Sequence, residues 1–269
     1  MTSRASRDTP PPDDPADRPE RAGTTHFGFE EIAEGDKAPR VRGVFESVSN
    51  RYDLMNDLMS GGVHRLWKAA MIDWLDPRPG LSLLDVAGGT GDIALRVIER
   101  LGPERCGLAV VCDLTPDMLA IGRDRALDRG VLGGIHWVCG NAEALPLPDR
   151  CTDAYTIAFG LRNVTRIEPA LAEARRVLRP GGRFLCLEFS RVVLPVLARL
   201  YDLYSFKVLP AMGELVTGDR DAYRYLVESI RRFPAQDELA AMMRAAGLEQ
   251  VRYRNLTGGV AALHSAWRL

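Results

Sequence analysis

A glycine-rich turn follows the first strongly apolar run of the chain. The stretch LLDVAGGTGD (83–92) carries Gly88, Gly89 and Gly91 in a D-x-A-x-G-x-G spacing that starts at Asp85. Glycines let a backbone approach a ligand closely, and the amide-rich start of a following helix favours negative groups. The spacing differs from the GxGxxG fingerprint of dinucleotide sites and from the P-loop pattern. The turn therefore predicts a ligand that carries no pyrophosphate.

An acidic residue, Asp113, ends the second apolar run, GLAVVCD (107–113). A carboxylate at this point can accept hydrogen bonds from both hydroxyls of a ribose. A nucleoside without a pyrophosphate is what S-adenosylmethionine (AdoMet) offers. We therefore expect AdoMet to bind with its ribose on Asp113 and its methionine carboxylate near Gly89–Gly91.

Two more loops follow apolar runs further along the chain. Asn141-Ala142-Glu143 comes after the third run, and Phe159–Asn163 comes after the fourth. Ligands of doubly wound sheets bind at the carboxyl ends of the strands, near the switch in strand order. We expect all four loops to meet at one crevice, with Asn141 and Ala142 facing the adenine. A turn-forming role for Asn141 is the alternative.

The elements that must position these loops alternate along the sequence. Continuous apolar runs predict strands buried on both faces, and helical stretches lie between them. The runs cover 81–87, 107–113, 135–140, 153–159 and 182–189, and the helices cover 91–101, 115–129 and 165–178. We expect a crossover helix after each strand and hence a parallel sheet with helices on both faces. Two alternating segments, 248–256 and 260–269, predict an antiparallel pair at the sheet edge.

The flanks and one insertion complete the predicted organisation. Residues 1–25 are rich in proline and of mixed charge, which predicts a disordered tail before a single domain over 26–269. Helical spacing over 44–76 predicts cap helices. Residues 191–232 interrupt the strand–helix repeat, and we expect them to form a helical lid.

Composition narrows the class of protein. The chain has 269 residues, 46% of them hydrophobic, and a formal net charge of −1. A nucleic-acid-binding surface normally shows an excess of Lys and Arg, so we expect no nucleic-acid partner. No stretch approaches the ~18 apolar residues of a membrane span. We expect a soluble, cytoplasmic protein and predict no metal site.

Several longer stretches resemble the ubiquinone/menaquinone biosynthesis C-methyltransferase family. The resemblance covers about 40–269 and is most specific in RYDLMNDLMS (51–60), FGLRNV (159–164) and YRYLVESI (223–230). It implies a Rossmann-like class I AdoMet-dependent methyltransferase with a mainly parallel seven-stranded sheet. It also implies that Thr90, Asp113, Asn141 and Ala142 contact the cofactor. Ala158 stands where family members often carry Ser.

The resemblance implies methylation of a ring carbon of a polyprenyl quinol precursor. The acceptor would be demethylmenaquinol, 2-polyprenyl-6-methoxy-1,4-benzoquinol or both. Because the acceptor would be membrane-borne, we expect transient docking at the inner face of the membrane. A homodimer and a quinone-biosynthesis complex are both open as assemblies. Two alternatives stay open: an AdoMet-dependent methyltransferase of another small aromatic acceptor, and a non-catalytic scaffold of a quinone-synthesis complex.

Arg162 and Asn163 are the predicted catalytic residues. A quinol carbon becomes nucleophilic when a neighbouring hydroxyl ionises, and a cation with a hydrogen-bond donor stabilises the phenolate. Arg162 would supply the charge, since it stays protonated at neutral pH. The alternatives are a salt bridge from Arg162 to an acid such as Glu143, and an Asn163 cap on a helix starting near Thr165. For the substrate lip, the resemblance and the position of the insertion suggest Tyr52, Asp219, Tyr223 and Tyr225.

Overall fold

The computed structural model describes residues 23–48, 57, 60–193 and 220–269. It contains seven α-helices in these ranges: α1 (Glu34–Val48), α2 (His64–Leu75), α3 (Asp92–Leu101), α4 (Pro116–Asp128), α5 (Ile167–Val177), α6 (Arg220–Arg232) and α7 (Gln236–Ala245). The strands are β1 (Thr24–Phe27), β2 (Glu30–Ala33), β3 (Ser82–Val86), β4 (Leu108–Asp113), β5 (Ile135–Cys139), β6 (Thr152–Ala158), β7 (Leu178–Phe189), β8 (Glu249–Leu256) and β9 (Ala261–Arg268).

Seven strands form the central sheet in the order β5-β4-β3-β6-β7-β9-β8. The first five are mutually parallel, with Val86 of β3 opposite Cys112 of β4 on one side and Ile157 of β6 on the other. β9 runs antiparallel to both β7 and β8. The mainly parallel sheet and its antiparallel edge are confirmed. The strand order reverses at β3, so the tips of β3, β4 and β6 flank the crevice where ligands of such sheets bind.

Apolar side chains of the parallel strands alternate between two cores, one on each face of the sheet. Leu83 and Val111 belong to the core under α2 and α3, whereas Leu84 and Tyr155 belong to the core under α5 and α7. Full burial of a side chain such as Leu83 stabilises the fold by roughly 1.5–3 kcal/mol. Burial of both faces explains why these strands are continuous apolar runs in the sequence.

Three local predictions were wrong. Residues 140–151, all within the described part of the chain, form a loop with a small bridge between Asn141 and Ala144 instead of a crossover helix. Helix α1 begins at Glu34 and not at Val44, and its predicted continuation through 49–56 and 58–59 lies outside the described residues. Strand β1 begins inside the stretch assigned to the tail.

The N-terminal hairpin β1–β2 is held by contacts that are distant in sequence. The Thr25 hydroxyl donates to the Thr165 carbonyl at 3.1 Å, and the Phe27 ring stacks on Tyr225 with centroids 4.1 Å apart. Tertiary packing of this kind decides the structure of segments whose own pattern is weak.

The insertion between β7 and α7 is described only in part. Helix α6 matches the predicted helix over 221–232, while residues 194–219 of the predicted lid lie outside the described residues. No helix in the described ranges is both long enough and apolar enough to cross a membrane.

Candidate active site

A cavity opens at the carboxyl ends of the parallel strands, and we call it the strand-tip cavity. The four predicted loops contribute to it together with one face of α1. Its lining comprises Ala38, Val41, Arg42, Phe45, Val86, Ala87, Gly89, Asp113–Thr115, Met118, Gly140–Glu143, Phe159, Gly160 and Asn163–Thr165. The structure thus brings together Gly89, Asp113, Asn141, Ala142 and Asn163 from the predicted site.

The glycine turn places its three predicted residues differently. Gly89 lies on the cavity with a positive φ of 54°. Gly91 faces away, because a Cβ at this position would lie 2.6 Å from the ring of Trp137. Thr90 is buried, and its hydroxyl accepts a hydrogen bond from Arg125 Nη1 at 3.1 Å. The cofactor contacts of Thr90 and Gly91 stay predictions, and in this structure both residues build the turn that presents Gly89.

Asp113 holds the glycine turn against the tip of β4. Its Oδ2 accepts from the Gly89 amide and its Oδ1 from the Thr115 amide, both at 2.8 Å. Burial raises the pKa of Asp113, and the amides of Thr115 and Gly89 oppose that shift. Each carboxylate oxygen has a second lone-pair direction for a further donor. The residue therefore fits a ribose with two hydroxyls.

The loop after β5 is a turn that also faces the cavity. Asn141 Oδ1 accepts from the Glu143 amide at 3.0 Å, so the turn-forming interpretation of Asn141 is confirmed. Ala142 is buried on the cavity wall. Glu143 accepts from the Thr165 amide at 2.8 Å and from Arg166 at 3.2 Å. These bonds fix the loop after β5 to the loop after β6.

The loops after β3 and β6 touch each other through Ala87 and Gly160. Ala87 and Phe159 both have positive φ, 48° and 58°, which is unfavourable for side chains with a Cβ. A Cβ added to Gly160 would lie less than 3.0 Å from the Ala87 Cβ. Glycine at 160 is therefore required by its neighbour, and the two loops form one continuous wall of the cavity.

Arg162 lies in a buried ion pair beneath that wall. Its Nη1 is 2.7 Å from Glu188 Oε1, and both side chains are only 1% exposed. The same Nη1 donates to the Phe159 carbonyl, and the Arg162 amide lies 3.3 Å from Glu188 Oε2. Burial raises the pKa of Glu188, while the charge of Arg162 acts to lower it. The alternative of a salt bridge from Arg162 to an acid is confirmed, but the acid is Glu188 and not Glu143.

Sequence reasoning missed Glu188, although a signal was present. Glu188 stands inside the apolar run GRFLCLEF of β7, which is buried on both faces. A carboxylate in such a strand needs a partner, because burying an unpaired charge costs several kcal/mol. The partner could have been sought on the neighbouring strand tip.

Asn163 lies on the cavity and is oriented by α6. Its Oδ1 accepts from the Tyr225 hydroxyl at 3.1 Å. The predicted helix cap was wrong, since α5 begins at Ile167 with Arg166 at the N-cap position. Tyr225 was one of four residues suggested for the substrate lip. Of the other three, Tyr223 is buried at 1% exposure, and Tyr52 and Asp219 lie outside the described residues.

A second buried carboxyl, Asp85, lies beneath the glycine turn. Its Oδ1 accepts from the Thr156 hydroxyl at 2.8 Å. Burial raises the pKa of Asp85 to about 7, against the opposing effects of Thr156, the Ala94 amide and Lys68. Lys68 pairs with Asp92 at 2.9 Å beside it. Through its interaction with the Ala94 amide, the Asp85 carboxyl supports the first turn of α3 from inside the protein.

The residues of the strand-tip cavity fit AdoMet. Gly89 offers the space that a Cβ would fill, Asp113 offers acceptors for a ribose, and the loop after β5 lies beside Asp113. The fold and these features define a class I AdoMet-dependent methyltransferase. Similar solved structures include a SAM-dependent methyltransferase from Thermotoga maritima, with a TM-score of 0.61 and 21% identity, covering 85% of this chain and 100% of that one. The [4+2]-cyclase SpnF also shares the fold, with a TM-score of 0.62 and 18% identity over 86% of this chain and 96% of that one.

The chain belongs to the ubiE/COQ5 methyltransferase family, whose model matches residues 33–268. Two similar curated relatives are both named ubiquinone/menaquinone biosynthesis C-methyltransferase. The relative from Dinoroseobacter shibae is 61% identical over 246 residues, 91% of this chain and 97% of its own length. The relative from Paracoccus denitrificans is 59% identical over 251 residues, 93% and 99% of the two chains.

Proposed function

We propose that the protein transfers the methyl group of AdoMet to a ring carbon of a polyprenyl quinol precursor of ubiquinone or menaquinone. Family membership and the names of relatives such as those of Dinoroseobacter shibae and Paracoccus denitrificans support this acceptor class. Because SpnF shares the fold but is a cyclase, the fold alone does not decide the reaction.

The observation that carries the proposal is the mixed lining of the strand-tip cavity. Gly89, Asp113 and Asn141 supply polar groups that suit a nucleoside. Val41 and Phe45 of α1 add apolar side chains, as an aromatic ring requires. The turn at Phe159–Asn163 contributes to the same cavity.

AdoMet supplies a methyl group already activated by its positively charged sulfur. The protein must therefore hold the acceptor carbon in line with the carbon–sulfur bond. It must also favour the ionised form of a ring hydroxyl, because an ordinary phenol has a pKa near ~10. The ring hydrogen at the methylated carbon finally leaves as a proton to water.

Asn163 is the residue that we propose contacts the acceptor. The Tyr225 hydroxyl occupies its Oδ1, which leaves its two N–H donors without a partner among the described residues. Those donors can stabilise a phenolate oxygen at the cavity. We propose that Arg162 supports the reaction mainly by holding the Phe159–Asn163 turn through Glu188, since its own side chain is 1% exposed.

The test is methyl transfer from isotopically labelled AdoMet to short-chain demethylquinols, with AdoMet and NAD binding measured by titration calorimetry. We expect AdoMet binding, no NAD binding and a ring-methylated product. AdoMet binding without turnover on any aromatic acceptor would favour the non-catalytic scaffold. Turnover only on water-soluble phenols would favour the alternative small-acceptor methyltransferase.

We also propose that the enzyme meets its lipid-borne acceptor by transient docking at the inner face of the membrane. Lipid-quinone profiling of cells lacking the gene would show which demethylated species accumulates. Accumulation of a benzoquinone precursor, a naphthoquinone precursor or both assigns the ring. An unchanged quinone profile would contradict the proposed function.

A further inference from the structure

A second cavity lies beside the strand-tip cavity, under the N-terminal hairpin, and we call it the hairpin cavity. It is bounded by β1–β2, α1, α6 and the turn after β6, and its lining includes His26, Lys37, Thr165, Tyr225, Arg232 and Phe233. Its volume is about 210 Å³, well above the ~10–15 Å³ that a single water requires. The described linings of the two cavities have only Val164 and Thr165 in common.

Lys37 is a buried cation at this cavity. The residue is 7% exposed, and its ammonium group makes no hydrogen bond or ion pair with any other described residue. Burial lowers the pKa of Lys37, while the charge of Glu143 acts to raise it from beyond ion-pair distance. A largely buried lysine without a carboxylate partner in the described chain is disfavoured, and a ligand that carries negative charge would stabilise it.

Two further cationic or basic side chains stand at the mouth of the same cavity. His26 and Arg232 are exposed, and their side chains are joined by a hydrogen bond of 3.3 Å. Within the described chain, Arg232 forms no ion pair with a carboxylate. The described lining of the hairpin cavity contains no Asp or Glu, and the charge of Arg162 is already balanced by Glu188. The cavity therefore carries positive charge both at its mouth, on Arg232, and in its interior, on Lys37.

We propose that the hairpin cavity binds a phosphate group on Lys37 and Arg232, with His26 beside them. Two hydroxyls of the lining already donate elsewhere, Thr25 to the Thr165 carbonyl and Ser229 to the Leu226 carbonyl. The cationic side chains are therefore the main groups that a ligand meets, and their combined charge favours a phosphate over a singly charged carboxylate. The Arg232 guanidinium presents a planar fork of donors, and the Lys37 ammonium supplies a point charge behind it.

The phosphate group has two possible sources with the same chemistry. It can be free inorganic phosphate, or it can be the headgroup of an anionic phospholipid that reaches the mouth of the cavity. The two sources differ in one measurable way, because only the second makes Lys37 and Arg232 necessary for binding to vesicles.

The experiment compares Lys37→Met and Arg232→Met with the parent protein and with Arg224→Met. Arg224 is a matched control on the same helix as Arg232, since it is exposed and pairs with Asp221 at 3.0 Å away from the cavity. Inorganic phosphate is titrated by calorimetry and by thermal unfolding, with sodium chloride at equal ionic strength as the reference. Losing one charged contact should weaken phosphate binding about ten- to hundredfold in both cavity variants.

Lys37→Met also separates binding from a purely structural role. Without phosphate, Lys37→Met should melt at the same temperature as the parent or higher, because the substitution removes a charge that has no partner in the described chain. Adding phosphate should raise the melting temperature of the parent but not that of Lys37→Met. A variant that melts lower without phosphate yet keeps that increase would overturn the proposal.

Sedimentation with vesicles of phosphatidylcholine, alone or mixed with phosphatidylglycerol, decides the source. Binding to the mixed vesicles that is lost in Lys37→Met and Arg232→Met but kept in Arg224→Met assigns a lipid headgroup. Saturable inorganic phosphate binding with no such vesicle binding assigns free phosphate. The proposal is overturned if neither ligand binds, or if Arg224→Met weakens binding as much as Arg232→Met.

Discussion

Replacing Gly160 by Ala tests whether the loops after β3 and β6 form one wall of the cofactor site. The new Cβ would lie less than 3.0 Å from the Ala87 Cβ, whereas carbon atoms pack best at about 3.5–4.0 Å. The φ of Gly160 is −117°, so alanine introduces a steric conflict without a backbone conflict. Overpacking of this kind typically costs about 1–3 kcal/mol. We expect Gly160→Ala to lower the free energy of unfolding by that amount and to weaken AdoMet binding.

The second half of the test is Ala87→Gly, which removes the atom that the new Cβ meets. Ala87 has a φ of 48°, so replacing it by glycine relieves backbone strain of roughly 1 kcal/mol in the folded protein. Glycine also raises the conformational entropy of the unfolded chain, which lowers stability by a similar free energy. Ala87→Gly alone should therefore change stability little. In the double variant it should recover most of the loss, with a coupling energy of about 1–3 kcal/mol.

Urea unfolding measures the stability terms, and titration calorimetry with AdoMet measures the effect on the site. The reasoning fails if the two substitutions are additive, because the loss would then come from somewhere other than the Ala87–Gly160 contact. It also fails if Gly160→Ala unfolds at the parent's urea concentration and binds AdoMet as tightly.

Three further changes test the charged groups around the site. Glu188→Gln leaves Arg162 as an uncompensated buried charge, so urea titrations should show a free energy of unfolding lower by about 3–5 kcal/mol. Adding Arg162→Met to the same chain should recover much of this loss. A loss below about 1 kcal/mol for Glu188→Gln alone would contradict the buried pair. In Asp113→Asn, a weaker acceptor replaces the carboxylate that accepts hydrogen bonds from two backbone amides and, by our proposal, from the ribose. Calorimetry should show AdoMet binding about ten- to hundredfold weaker. An unchanged affinity would show that Asp113 does not bind the cofactor. The pKa of Asp85 is raised from 3.8 to about 7 in the folded protein, which therefore binds this proton more tightly than the unfolded chain. Its contribution to stability is lost as the pH rises from about 4 to 7. The stability of Asp85→Asn relative to the parent should accordingly increase by a few kcal/mol between pH 5 and pH 8 in urea unfolding. A parallel pH dependence of the two proteins would refute the shift.

The sheet could be predicted from sequence because each parallel strand is buried on both faces. Continuous apolar runs separated by helical spacing identify such strands, and their bounds agree with the structure within a few residues. The same logic failed between β5 and β6, where Pro146 and Pro148 and the Asn141 turn occupy the place of a crossover helix. It also failed for β1 and the start of α1, whose structure depends on contacts such as Phe27 with Tyr225.

The candidate site was predictable to the extent that topology determines it. Gly89, Asp113, Asn141 and Asn163 reach one cavity because parallel strand tips share an edge of the sheet. The orientation of side chains was not predictable, since the Arg162–Glu188 pair depends on which strands are neighbours. The α1 wall was missed because its segment carries no recognised motif.

The position of β9 has a consequence for how the protein is made. β9 follows β8 in the chain but lies between β7 and β8 in the sheet. While the ribosome is still translating β8, the edge of β7 is bare and β8 has no strand to join. The nascent chain must therefore wait, with β7 open to mispairing, until β9 emerges from the exit tunnel and completes the sheet.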